Sequence, residues 1–542
     1  SQFSGIDFEF KLSTETCELC VNKCSLSIYE VRGNKVAWGL KCGREYEDRK
    51  VKVKEIKTSI DKIFEDIFFE KNGNERKVNK TIGIPKTLYL AEFYFLFKDY
   101  FEKAGFNVVI EEPTHSKLKN GSKLVNSDFC APIILTHGLV ESLLNKKVDY
   151  IFLPTIINNK TLIKNEVETE FFIDKINDAY YCYYSEYAAT IIDNLTALDV
   201  KDKLLSPKMK FNKSNAEDIS KELIELTSNI SDIDGAKLTE IFKESYVKFL
   251  KNKNEFKKTG ENILKNVAKN KILFLGRPYT FFDNVINLNI PKTFENYGFN
   301  ILYQSMLDLD PQKLEYAKRF IDKAHWTFGQ EIICAAEFAA KTDGVFPVFL
   351  TCFRCSPDSY LISYFKDIMN KYEKPYLIIQ LDEHSSDVGY QTRIEAAIET
   401  FKNHKPVSSK KNIEKKSYKN DPIEKDNTVL IPYVSPIISE LQKSVFTAYG
   451  YKAIVMPLDQ KIVNKGYRYA SGGECMPNVA IAGSLIESIE KYSLTPENCI
   501  AYLPTLCMAC NFNQYSILLE LASEKAGYDK IKIANGNSMK HI

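Results

Sequence analysis

Thirteen cysteines stand in the 542-residue chain, and their spacing is where chemistry could begin. In "FLTCFRCSPDSYL", Cys352 and Cys355 follow an apolar run directly. A C-x-x-C of this kind can be a redox disulfide, half of a zinc site, an iron-sulfur ligand pair or two buried thiols. Four further cysteines, Cys17, Cys20, Cys24 and Cys42, crowd the first stretch in "CELCVNKC" and "LKCG". Between them, "SLSIYEVRGNKVAWGL" alternates and carries a Gly-Asn turn, which predicts a β-hairpin that returns Cys42 towards the other three. Four thiolates around one tetrahedral centre follow, and zinc and a 4Fe-4S cluster both accept that set. A module of ~45 residues builds little core of its own, so a bound metal would supply stability it otherwise lacks.

Two more cysteines open an internal repeat. Phe101, Gly105, Cys130, Pro132 and Gly138 match Phe446, Gly450, Cys475, Pro477 and Gly483 at one fixed offset, and both copies then reach a strand ending Leu-Pro-Thr. Each copy places a C-x-P at a helix entrance, where proline suits the first turn and unpaired N–H groups stabilise a thiolate or an anionic cluster. Further thiols follow each Leu-Pro-Thr: Cys182 in "AYYCYYSEY", and Cys507 and Cys510 in "LCMACNFNQY".

The elements that must position these thiols alternate strand and helix. "TIGIP", "LYLAEFYFLFKDYFEKAG", "FNVVIEE" and "VDYIFLPT" give β, helix, β and a further strand over 81–155. A second such unit begins at "KILFLGRPYTFF" and runs through "FNILYQ" and "GVFPVFLT" to "PYLIIQLDEH"; a third starts at "TVLIPYVSP". The expected fold class is α/β, with three doubly wound (Rossmann/flavodoxin-like) parallel-sheet units, in which ligands collect at the carboxyl ends of the strands. The expected boundaries are a cysteine-ligated module over 1–50, a first α/β unit over 81–200, bridging helices over 201–268, a second unit over 269–401, a lysine-rich linker over 402–427, and a third unit over 428–542.

Composition narrows the function classes. Seventy-three basic residues balance 71 acidic ones, leaving no global charge to recruit nucleic acid or membrane. No segment reaches the ~18 apolar residues of a membrane helix, and the N-terminus lacks a signal-peptide pattern, so a cytoplasmic location is expected. The odd cysteine count argues against a complete disulfide framework and points to metal or cluster ligation.

Taken in order, "WTFGQEIICAAEF", "CSPDSYLISYF", "KPYLIIQLDEHSSDVGYQTRIEA", "GGECMPN" and "CNFNQY" resemble the cysteine-rich region of large acyl-CoA dehydratase activase-related proteins. That region is itself similar to 2-hydroxyacyl-CoA dehydratase subunits and double-cubane cluster proteins. The resemblance spans Cys17 to about Tyr515. It implies α/β domains that enclose an oxygen-sensitive iron-sulfur cluster, reduced at low potential by an ATP-hydrolysing, actin-like activase partner and passing single electrons to a small-molecule substrate. Cys130, Cys355, Cys475 and Cys510 fall on the family's cysteines, Cys182 is the third ligand from the first unit, and either Cys507 or Cys352 completes six. Two sets of three suit a double cubane, [8Fe-9S], or two [4Fe-4S] clusters, with zinc or a further 4Fe-4S at the N-terminal site. The sequence departs from the family pattern twice: Cys355 is followed by Ser356 instead of glycine, and Cys510 by Asn-Phe-Asn-Gln-Tyr instead of Arg-Phe-Gly-Gln-Tyr. Both changes alter how backbone could approach a cluster.

The remaining polar candidates are fewer. Asp382, Glu383 and His384 follow a strand, where a proton donor would sit. His137, on the helix after Cys130, could donate to a cluster sulfur, and Arg277 could offset cluster charge. Cys334 and Cys499 read as core. No Walker loop, actin-like phosphate motif or G-x-G-x-x-G is present, so electrons are expected from a separate ATPase domain or subunit rather than from nicotinamide. The chain opens at "SQFSGIDF", which fits a separate subunit or part of a larger fusion, and a homo-oligomer is compatible with all of this. An enzyme of the dehydratase-like or reductase type is the leading expectation. An electron-transfer module and a zinc-bearing structural subunit are the alternatives.

Overall fold

The computed structural model describes residues 10–16, 25–31, 34–39, 60–68, 78–163, 178–213, 215–265, 270–321, 324–382, 387–405, 423–503, 510–529 and 531–534. At the N-terminus, β1 (Phe10–Thr16), β2 (Ser25–Val31) and β3 (Asn34–Trp38) form an antiparallel sheet. Strands β2 and β3 are the expected hairpin; Cys17, Cys20, Cys24 and Cys42 lie outside the described residues.

The rest is a mixed α/β architecture of parallel sheets flanked by helices. After α1 (Ile60–Phe68), the first unit runs β4 (Thr81–Pro85), α2 (Leu90–Lys103), β5 (Asn107–Glu111), α3 (His115–Leu124), α4 (Ala131–Asn145) and β6 (Tyr150–Phe152). It continues through β7 (Thr155–Lys160), β8 (Asp178–Tyr180), α5 (Tyr183–Asp193), β9 (Leu204–Leu205) and β10 (Lys208–Lys210). Because β9 joins the main sheet and β10 pairs with β7, the first unit extends past residue 200. Helices α6 (Ala216–Asn229) and α7 (Gly235–Lys265) follow, and α7 lies across α2.

The second unit contains β11 (Lys271–Gly276), α8 (Pro278–Phe282), α9 (Ile290–Asn296), β12 (Asn300–Tyr303), α10 (Lys318–Ile321) and α11 (Thr327–Lys341). It closes with β13 (Val345–Cys352), α12 (Ser356–Lys371), β14 (Leu377–Leu381) and α13 (Asp387–Asn403). The third holds β15 (Thr428–Ile431), α14 (Pro436–Ala448), β16 (Lys452–Val455), α15 (Gln460–Tyr467), α16 (Met476–Lys491), β17 (Cys499–Tyr502), α17 (Tyr515–Lys525) and β18 (Lys532–Ala534).

The three main sheets run β5-β4-β6-β9, β12-β11-β13-β14 and β16-β15-β17-β18, all parallel. In each, the first strand in the chain lies between the second and the third. The connections therefore diverge between the first and third strands, which opens a crevice at their carboxyl ends. Every residue of β11 and β13 is buried, as expected of strands covered on both faces.

One hydrophobic core runs continuously through the first two units, and α17 of the third lends it Ile517, Leu518 and Leu521. Phe64 of α1 ties the units together, with ring centroids 5.3 Å from Phe95 of α2, 5.2 Å from Phe256 of α7 and 4.3 Å from Phe282 of α8. The third unit otherwise keeps two smaller cores.

Each C-x-P helix is placed by a glycine pair. A Cβ on Gly138 would fall 1.9 Å from the Lys117 carbonyl oxygen and one on Gly121 1.9 Å from that of Ile134, so α3 and α4 cross with backbones in contact. In the third unit, a Cβ on Gly483 would meet the Ile462 carbonyl at 2.1 Å and one on Gly466 that of Val479 at 2.0 Å. The internal repeat therefore extends to Gly121 and Gly466. Among the described residues, no helix is long and apolar enough to cross a membrane.

Candidate functional site

Five of the predicted cysteines stand at the starts of helical segments. Cys130 caps α4, Cys182 α5, Cys355 α12 and Cys475 α16, and Cys510 precedes the 3-10 turn Asn511–Gln514 that leads into α17. The first N–H groups of each segment have no helical partner, so they face the thiol and favour negative charge there. Proline occupies the first turn after Cys130, Cys355 and Cys475.

Cys130, Cys182, Cys352 and Cys355 form a first set, each close enough to feel the charge of others. Cys130 and Cys352 are buried, Cys182 and Cys355 half-buried. Burial pushes the Cys130 thiol up to about 12, and neighbouring Cys182 adds to this, against the Ile133 N–H and the Arg277 charge. Burial likewise raises Cys182, with Arg277 and the N–H groups of Tyr184 and Ser185 opposing. Burial carries Cys352 and Cys355 well above the ordinary thiol range; Cys130 adds to the first and Asp358 to the second.

Arg277 is the cation at this place. It follows the carboxyl end of β11, is 2% exposed, and donates from Nε and Nη2 to Asp358 Oδ1 at 3.1 and 2.9 Å. Asp358 Oδ2 accepts from Thr351 Oγ1 at 2.7 Å. Burial would lower the Arg277 guanidinium, but Asp358 and then Cys355 hold it well above its usual value.

Cys475 and Cys510 form a second, more open set: Cys475 is half-buried and Cys510 exposed. The Tyr515 phenol, raised chiefly by burial, is hydrogen-bonded to Cys475 and feels the charge of both cysteines. The Cys510 sulfur accepts from the Phe512 N–H at 3.5 Å. Two bridges join the sets. Asn511 Nδ2 donates to the Ser356 carbonyl and hydroxyl at 2.7 and 2.9 Å and lies 3.8 Å from Cys475 Sγ. Tyr183, next to Cys182, feels the charge of Cys510. Ser356 and Asn511, one residue from each departure from the family pattern, thus touch each other.

Glu474 was not singled out from the sequence. Its carboxylate accepts from the N–H groups of Ser471 at 2.7 Å, Gly472 at 3.0 Å and Gly473 at 3.2 Å, and from Ser363 Oγ of the second unit at 2.7 Å. Burial alone would raise it, but these donors hold it below its ordinary value, and the loop carrying Cys475 is thereby pinned to α12. Gly-Gly-Glu ahead of C-x-P was the available signal.

His137 lies two turns along α4 from Cys130, with Nδ1 2.7 Å from the Ile133 carbonyl and Nε2 buried without a partner. Burial lowers it, so the neutral ring donates to Ile133 and leaves Nε2 an acceptor rather than a donor. Cys334 is buried on α11, and the Cys499 thiol donates to the Thr495 carbonyl at 3.1 Å. Glu383, His384 and Cys507 lie outside the described residues. Among the described residues, no three His, Cys, Asp or Glu side chains are grouped to hold a single metal ion. A cluster, whose irons are each held by their own thiolates, asks less convergence than one tetrahedral ion.

Residues 81–307 match the family model described as a CoA enzyme activase uncharacterised domain, DUF2229, which relates the chain to acyl-CoA dehydratase activase-related proteins. The matched segment carries Cys130, Cys182 and Arg277 and ends before Cys352. No curated protein matches the sequence.

Proposed function

We propose that this chain is a low-potential iron-sulfur reductase of the 2-hydroxyacyl-CoA dehydratase-like type, charged by an ATP-hydrolysing activase partner and passing single electrons to a small substrate. The observation that carries the reading is the meeting of Cys130, Cys182 and Cys355, from two different units, at helix starts beside Arg277. The donor set fits such a group. Buried thiols raised this far stay protonated unless a metal supplies further positive charge, because Arg277, shared with Asp358, opposes the rise only in part.

In this reading Cys130, Cys182 and Cys355 would hold one cubane, and Cys475, Cys510 and Cys507 the other, of an [8Fe-9S] group. Cys352 packs with the first set, which favours Cys507 as the sixth ligand. When bound, the group supplies one-electron chemistry at low potential. The chain's own residues do the rest. Arg277 and the helix N–H groups offset negative charge. Tyr183, which follows Cys182, packs edge-on against the buried Trp326 with ring centroids 5.6 Å apart, adding aromatic cover on that side. Glu474 and Asn511 hold the second set against the first. The exposure of Cys510 also favours a second reading, a relay that hands electrons to another protein. Cys17, Cys20, Cys24 and Cys42 would hold zinc or a further 4Fe-4S.

Anaerobic reconstitution with iron and sulfide, followed by iron, sulfide and zinc analysis, tests the proposal. About eight irons beyond the N-terminal site, with a brown chromophore and an EPR signal on one-electron reduction, is the expected result. A colourless, zinc-only protein overturns it. A signal perturbed by a small substrate selects the enzyme over the relay.

A further inference from the structure

The internal repeat reveals a surface of the third unit that no other helix among the described residues covers. At the repeat's offset, α2 and α14 correspond, and so do Tyr89 and Val434, Phe93 and Ile438, Leu96 and Leu441, Tyr100 and Val445. These positions follow a helical seam on both helices. In the first unit all four are buried: α7 packs on Phe93 and Tyr100, with Phe93 5.4 Å from Phe249 and Tyr100 5.9 Å from Phe242 between ring centroids, while Tyr89 is covered by Pro154, Ser185 and Tyr181. In the third unit the sheet takes only Ser439 and Phe446 of α14, and among the described residues no helix packs across its outer face. Val434 is 63% exposed, Ile438 47%, Leu441 63% and Val445 39%.

The charged positions changed in the opposite sense to that expected of a bare surface. On α2, Glu92 pairs with Lys253 of α7 at 2.6 Å, Asp99 with Lys248 at 3.0 Å, and Lys103 with Glu244 at 3.4 Å. Their counterparts on α14 are Ile437, Ser444 and Ala448, and Ile437 is 81% exposed. A solvated helix face would have kept or gained charge. This one lost its anchors for a charged helix such as α7 and gained an isoleucine. The charges left beside the seam, Glu440 and Lys443, pair with each other at 3.2 Å, so the patch is neutral.

We infer that α14 is a homodimer interface, in which the seam of one copy packs against the same seam of a second copy. The repeat says that the occupant is a helix, and the neutral, uncharged seam is complementary to itself, as a two-fold contact requires. Each α14 would give its partner the cover that α7 gives α2.

Sedimentation velocity over a dilution series of the full chain tests this. The expected result is a dimer that dissociates on dilution, with Leu441→Glu and, separately, Ile437→Lys each weakening it about tenfold or more. Both sites are exposed, so melts recorded at dilutions where the wild type is monomeric should be unchanged, which separates lost association from lost folding. A wild-type monomer at every concentration overturns the inference, including one whose seam is covered only on adding a different polypeptide. A dimer indifferent to both substitutions overturns it as well.

Discussion

The first and third units share a strand order, a glycine-paired helix crossing and a cysteine before proline, yet they differ in what they hide. The first buries Cys130 in a core continuous with the second unit, keeps Cys182 half-buried and covers α2 with α7. The third, apart from α17, keeps separate cores, leaves Cys510 exposed and has no described helix across α14. One copy thus encloses its cysteine before proline, and the other leaves its own cysteines more open.

The comparison breaks most readily at the ion pair beneath the first set. Arg277→Met leaves Asp358, 1% exposed, without its partner and should cost about 3–5 kcal/mol in urea unfolding, much of which Arg277→Met with Asp358→Leu restores. On the open side, Glu474→Ala removes a half-buried carboxylate from its N–H donors and should cost about 1–3 kcal/mol. An equal loss in both would erase the contrast.

Gly138→Ala and Gly483→Ala probe what the copies share. Each places a methyl about 2 Å from a carbonyl oxygen, which forces the helices apart and should cost roughly 1–3 kcal/mol in either unit. A large difference between them would mean that one crossing is looser than the repeat implies.

A separate effect concerns pH. Burial pushes Asp283, 4% exposed and just beyond α8, up from 3.8 to about 7, against the N–H groups of Ile286 and Val285. The folded state then binds a proton that the unfolded chain has released. The stability tied to Asp283 is complete below its unfolded value and is lost as pH rises through about 7. The urea midpoint should fall between about pH 5 and 7.5, and Asp283→Asn should flatten that slope.

Much of this was legible in the sequence, for physical reasons. The parallel sheets announce themselves because β4, β11, β13 and β15 are apolar runs bounded by glycine, proline or polar turns. The two- and three-residue strands β9 and β10 are too short for alternation to mark them and exist through tertiary pairing. The matched cysteines were visible as an offset, but the meeting of Cys130 and Cys182 with Cys355 depends on how two sheets share a core. The pairing of Gly121 with Gly138 was hidden, since a lone glycine in a helix reads only as a cost. The Ser356–Asn511 contact unites two departures that looked independent in the chain.

The division into two thiol sets is the central claim, and iron counting on reconstituted variants tests it most directly. Cys130→Ser with Cys182→Ser and Cys355→Ser, and separately Cys475→Ser with Cys510→Ser, should each lose about half of the iron and sulfide bound beyond the N-terminal cysteines. Unchanged iron in either variant would contradict the assignment.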